Sequence, residues 1–379
     1  MAHAHLTICD LVHAIESVAP PALSEPWDNT GLLIGTPSDK LDGPVLLTID
    51  LSDAVLSEAI ELGAGAILAY HPPIFSGMKR FTPDSREGRL VLACAGKGIA
   101  VYSPHTALDA AENGLAEWLV RLAGAGTDLA PITASESLDP QQSHKIVTFI
   151  PAEHAERLRD ALASAGAGNI GGYSSCSFTI EGTGSFFGND GTKPAAGKAG
   201  KLETVRELRL EMVAPASALP AVVAALRAAH PYDEPAFEIY QLHAKPSPTT
   251  GGGRIMTLST PASPADLART FKQSLGVNAI KLAAISDVPI TRIAACPGAG
   301  GSMIDSAIAQ GATMFVTGEM RHHDVLAAME RGCSMLLAGH TNTERPYLPT
   351  LAERLGALLS GAPFVVSEND SAPFVNVIG

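Results

Sequence analysis

Short segments that are apolar on both faces, alternating with helix-patterned stretches, restrict this chain more than any other feature. PVLLTID, AILAY and IAVYS fall between the helical stretches LTICDLVHAIESV, DAVLSEAIEL, REGRLVLACAGK and NGLAEWLVRLAG in the first third. The rhythm returns in the last third as TRIAAC, ATMFVTGE, SMLLAGH and PFVVS, separated by GSMIDSAIAQG, HHDVLAAMERG and ERPYLPTLAERLG. A strand buried on both faces needs helices above and below it, so the pattern predicts a layered α/β/α domain with a mostly parallel sheet. Between these thirds the texture changes. TDLAPITASESLDPQQS reads as a polar connector and KPSPTTGGG as a return linker. The stretch they enclose runs strand, helix, strand, then strand, helix, strand, which predicts a ferredoxin-like α+β module over residues 143–243. The α/β domain is thus expected to be discontinuous, from residues 1–125 plus 254–379.

Composition allows this. Of 379 residues 46% are hydrophobic and 17% charged, enough to bury two cores. Net charge is −13, from 26 Lys and Arg against 39 Asp and Glu, which disfavours general nucleic-acid binding. The first Lys is Lys40 and the first Arg is Arg80, so no basic leader is evident, and no apolar run approaches membrane-spanning length; a cytoplasmic location is expected. Five scattered cysteines without a CxxC pair indicate neither a disulfide framework nor a zinc knuckle.

An internal repeat locates the chemistry. IAVYSPHTALD and SMLLAGHTNTE align at a constant shift of 235 (340 − 105), pairing His105 with His340 and Asp109 with Glu344. AIELGAGAILAYH and AIAQGATMFVTGE align at a shift of 248 (319 − 71), setting His71 opposite Glu319. All of these polar residues follow apolar strands, and parallel sheets collect ligands outside the carboxyl ends of their strands. In HTxxD and HTxxE, a helix starting at the histidine would put both side chains on one face. Imidazoles and carboxylates without thiolates suit divalent zinc, iron or manganese. Acids in a first helical turn also serve as caps, and single strand-end histidines are common on surfaces; the duplication argues beyond capping. PGAGGS (297–302) reads as a tight packing loop or an anion-binding turn, Trp27-Asp28-Asn29 as a structural corner, and HPYDEP (230–235) as a turn.

WDNTGLLIG, AYHPPIFSGMKR, VYSPHTALDAAENGLAEWL, TGEMRHHD and GHTNTERPYL resemble the signature segments of the NIF-three-like dinuclear-metal-centre family, often labelled GTP cyclohydrolase I type 2 homologs. GNIGGYSSCSFTIEGTGSFF and AAHPYDEPAFEIYQL resemble the PII- or CutA-like insert of its longer members. The resemblance implies two divalent metal ions per subunit, held by His71, Asp109, His340 and Glu344, in a homohexamer. One departure stands out: Tyr70 occupies the place of the first histidine of a His-His-Pro, and a phenol is a poor ligand at neutral pH, so the second ion is expected to be weakly held. His105 is expected beside Asp109, with Glu344 and His105 as candidate catalytic groups and Glu319, His322 and His323 as candidates to line the cavity. The implied function is a metal-dependent hydrolase acting on a small nucleotide-like substrate. The alternative is a non-catalytic metal-binding regulatory or metal-handling protein with a ligand-sensing insert.

Overall fold

A computed structural model describes residues 5–192 and 197–374. Within the predicted hairpin region, residues 193–196 lie outside the described residues. The chain divides into two compact units, Met1–Ser135 with Ser247–Gly379, and Glu136–Pro246.

In chain order the first segment carries β1 (Gly31–Ile34), β2 (Val45–Thr48), β3 (Ala66–Ala69), β4 (Ala100–Ser103), β5 (Gly126–Ala130) and β6 (Thr133–Ser137). The second unit carries β7 (His144–Ile150), β8 (Phe178–Phe187), β9 (Leu202–Ala214) and β10 (Phe237–Gln241). The chain ends with β11 (Lys245–Gly252), β12 (Arg254–Ala262), β13 (Lys281–Ala283), β14 (Ile290–Cys296), β15 (Met314–Thr317), β16 (Ser334–Leu337) and β17 (Phe364–Val366).

The first unit holds two sheets, ordered β1-β4-β3-β2-β17 and β13-β16-β15-β14-β12-β5. In the first, β17, β2, β3 and β4 run parallel and β1 pairs antiparallel at the edge. In the second, β14, β15 and β16 run parallel and β13 closes the edge antiparallel. The series β1-β4-β3-β2 and β13-β16-β15-β14 therefore share order and sense, the topological counterpart of the repeat in sequence. β2, β3, β4 and β15 are buried at every position, as the apolar runs require. Each sheet has an apolar cluster on either face: Val45, Leu47 and Leu68 pack on one side of the first, Leu46, Ile67 and Val101 on the other.

The two segments expected as connector and linker are strands. β5 is an edge strand paired with β12, while β6 and β11 pair with each other as a two-stranded ribbon. Edges and ribbons need little apolar surface, so hydrophobic periodicity has nothing to report there, and Pro246 and Pro248 are tolerated where no central ladder is required.

The second unit is a single antiparallel sheet, ordered β10-β7-β9-β8, with helices Ala152–Ser164 and Leu219–Ala229 packed on one face. Strand-helix-strand-strand-helix-strand with the fourth strand beside the first is the split βαβ arrangement. Its loop histidine, His230, accepts the Tyr232 N–H at Nδ1 and donates from Nε2 to Phe149 O, so HPYDEP is a closed turn.

Candidate metal centre

In the first unit the parallel strands of both sheets end in polar residues, and those ends face one another. β2 leads to Asp50, β3 to Tyr70 and His71, and β4 to His105 and Asp109. β15 leads to Glu319, and β16 to His340 and Glu344.

His71 Nε2 stands 3.5 Å from Glu344 Oε2, and His340 Nε2 stands 3.5 Å from Glu344 Oε1. Ligand atoms of His71, His340 and Glu344 all lie within 4.8 Å of one another, which makes them a possible metal site. Each imidazole is held from behind. His71 Nδ1–H donates to Asp50 Oδ1 at 2.9 Å, and His340 Nδ1–H donates to Glu319 Oε1 at 2.9 Å. A carboxylate on Nδ1 fixes the tautomer and turns the Nε2 lone pair inward, as metal-ligating histidines require. Glu344 is 2% exposed, and its Oε2 is a buried oxygen with no hydrogen-bond partner among the described residues. A buried carboxylate oxygen without a donor is costly unless a cation answers it. The donor set and this orphaned oxygen therefore fit a divalent ion.

The local backbone differs from the expected helix at His340. Thr341–Thr343 and Arg345–Tyr347 are 3₁₀ turns on either side of Glu344, and the α-helix begins only at Leu348. Pro346 lacks the N–H that a continuous α-helix would use there. A glycine completes the pocket: Gly298, at φ 61°, packs so closely that a Cβ would fall 2.8 Å from Glu344 Oε1 and 3.1 Å from His340 Nε2. Its N–H donates to Thr343 Oγ1, and the Gly300 N–H donates to Thr317 Oγ1, so amides of PGAGGS are spent inside the fold.

Asp109 is turned the other way. Tyr70 donates its phenol to Asp109 Oδ1 at 2.7 Å. Burial pushes the Asp109 carboxyl up to about 7, against the pull of Tyr70 and His105, and the nearby Glu344 adds to the rise. The Tyr70 phenol lies well above its ordinary value through burial and the Asp109 charge. His71 is opposite in sign: burial opposes its charged form, but Asp50 and Glu344 raise it to about 10 when no ion is bound, so a cation taking up Nε2 would displace a proton from it. Asp50 is held below the usual carboxylate range, first by its hydrogen bond to His71.

His105 bonds to Asp28, not to Asp109: Nδ1–H donates to Asp28 Oδ1 at 2.7 Å. The Thr106 N–H and hydroxyl both donate to Asp28 Oδ2, and His105 is held at φ 25°, a sparsely populated region for a non-glycine residue. The His105 ring lies 5.4 Å from both the Tyr70 and His71 rings. The helix His105–Ala110 that carries Asp109 ends on Arg254, a buried guanidinium that donates to Ala110 O and Ala111 O.

The His322 and His323 rings meet edge to face with centres 5.5 Å apart, exposed at the start of the helix His322–Glu330. Among the described residues no hydrogen bond joins either to His71, His340 or Glu344. Asp28, Asp50 and Gly298 escaped sequence reasoning as neighbours of the centre. The one available signal was that Asp50, like His71, directly follows a buried strand.

The profile of the Duf34/NIF3 (NGG1p interacting factor 3) family matches residues 6–373. The chain belongs to that family. A Bacillus subtilis relative described as a GTP cyclohydrolase 1 type 2 homolog is 35% identical, covering 96% of this chain and 97% of its own. A rat relative, NIF3-like protein 1, is 32% identical over 96% of this chain and 91% of its own. Among solved structures, a Bacillus cereus protein related to NIF3 is similar with a TM-score of 0.68 at 32% identity, covering 99% of this chain and all of its own. A Staphylococcus aureus protein reaches 0.80 at 25% identity, with the same coverage. The mixed α/β fold is thus that of NIF3 structures. No described helix is long and apolar enough to cross a membrane.

Proposed function

We propose that this Duf34/NIF3 protein is a metal-dependent hydrolase of a small, nucleotide-like substrate, with its principal ion held by His71, His340 and Glu344. The orphaned, buried Glu344 oxygen between two back-held imidazoles carries this reading. A bound divalent ion supplies Lewis acidity and lowers the pKa of water in its shell. The chain's own groups do the rest. Asp50 and Glu319 orient the two ligand imidazoles. His105, its Nδ1 committed to Asp28 and its ring 5.4 Å from that of His71, has Nε2 left as the group that takes and returns a proton. Asp109 would help to hold a second ion more weakly, because the Tyr70 phenol already occupies one of its oxygens. The names of the relatives favour a GTP-cyclohydrolase-like reaction within this class.

The insert is read as PII/CutA-like, and the assembly as a ring of six subunits, from the family resemblance; light scattering that returned a monomer would refute the ring. The central test is turnover of nucleotides and phosphoesters by metal-loaded protein. Hydrolysis that disappears in Glu344→Ala supports the reading. No turnover with any of them, or activity that survives the substitution, overturns it.

A further inference from the structure

We propose that the pocket opening on His71 is an anion subsite which, together with a Trp27–Phe75 platform, selects a phosphorylated aromatic compound of the nucleoside-monophosphate kind. This rests on the hydrolase reading and names its substrate class. The pocket has a volume of about 500 Å³ and is lined by Asp50 and His71 together with Lys79, Arg80 and Arg86. Ligand pockets for small molecules span a few hundred cubic ångströms upward, so the space is adequate.

The charge here runs against the rest of the chain. A protein with 26 basic and 39 acidic side chains pairs many of its arginines with acids, as at Arg89–Asp53, Arg121–Glu117, Arg269–Asp266 and Arg345–Asp370. Lys79, Arg80 and Arg86 take part in no ion pair among the described residues. Arg86 donates to Leu51 O at 2.6 Å, which pins it at the wall. Of the two acids in the lining, Asp50 is already committed to His71, leaving Glu87 as the opposing charge. Three unpaired cations on one concave surface attract a dianion, and guanidinium groups match phosphate oxygens geometrically.

The aromatic half is equally unspent. Trp27 is 60% and Phe75 54% exposed, their rings 6.0 Å apart, and Trp27 also lies 6.0 Å from His105. Large rings left in water beside a catalytic cleft gain free energy by stacking on a flat partner. Phe75 lines the cationic pocket itself, so one ligand can reach both features.

The experiment is calorimetric titration of the full-length protein, stripped of metal by chelation, with adenosine 5′-monophosphate, adenosine and inorganic phosphate. The monophosphate is expected to bind at least about tenfold more tightly than the nucleoside. That gap should close in Lys79→Ala/Arg80→Ala, whose side chains are exposed and whose loss spares the core. Trp27→Ala should weaken adenosine and its monophosphate alike while leaving inorganic phosphate unchanged. Equal affinity for nucleoside and nucleotide, or a double variant that keeps the gap, overturns the anion subsite; inorganic phosphate binding as tightly as the monophosphate overturns the platform. Because metal is absent, these outcomes are separate from the hydrolase test: a protein that binds the monophosphate as described but never turns over fails only the earlier reading.

Discussion

The two copies of His-Thr-x-x-acid in this protein begin from the same pattern and end in different chemistry. After β16, the acid Glu344 lies between two imidazole Nε2 atoms with one oxygen unpartnered. After β4, the acid Asp109 is capped by the Tyr70 phenol, and its histidine, His105, is bonded to Asp28. Spacing sets where a group stands at the strand end, but the neighbouring strand decides what it meets. At β16 the neighbour is β15, which delivers Glu319 behind His340; at β4 the neighbour is β3, which delivers Tyr70 in front of Asp109. One copy is open toward a cation and the other is closed by a proton donor.

The sharpest way to break this contrast is Glu344→Gln. Metal affinity measured by calorimetry is expected to fall by more than about 100-fold, beyond what loss of an outer partner costs, because the anion between the imidazoles is removed. A fall of the same size in Asp109→Asn would make the two copies equivalent and defeat the distinction. Asp50→Asn and Glu319→Gln should each lower affinity by about 10–100-fold with the ligands intact, and if neither does, the back-holding carboxylates are incidental.

Asp28 tests the closed copy through pH. Burial opposes its ionisation, but His105 and Thr106 hold its carboxyl down to about 2. A depressed folded value stabilises the protein at pH above the unfolded value near 4, and the contribution is lost as pH falls through about 2. Asp28→Asn is therefore expected to cost about 2 kcal/mol by urea denaturation at pH 7, with the difference from the parent shrinking toward zero near pH 2. A difference constant with pH would mean that packing, not charge, holds His105. The smallest effect belongs to Tyr70→Phe, which removes one donor from a buried carboxyl and should cost about 1 kcal/mol above pH 7, where Asp109 is ionised.

Much of this was legible in one dimension. Apolar runs such as AILAY and SMLLAGH announced doubly covered strands, and the repeat singled out His71, Glu319, His340 and Glu344. Asp28 was not legible as a partner of His105, since the two are 77 residues apart and corner acids have no period. Asp50 looked like any residue after a strand. β5, β6 and β11 were invisible because ribbons and edges bury little and leave no alternation to read.

The amino-acid sequence alone determined the strand and helix rhythm, the duplication, and which residue types stand at the strand ends, because burial periodicity and spacing are local properties of a chain. Only the tertiary structure decided that Glu344 faces two imidazoles while Asp109 faces a phenol. That outcome depends on which strand lies beside which, and hydrogen bonds and charges act over a few ångströms of space, whatever the distance along the polypeptide.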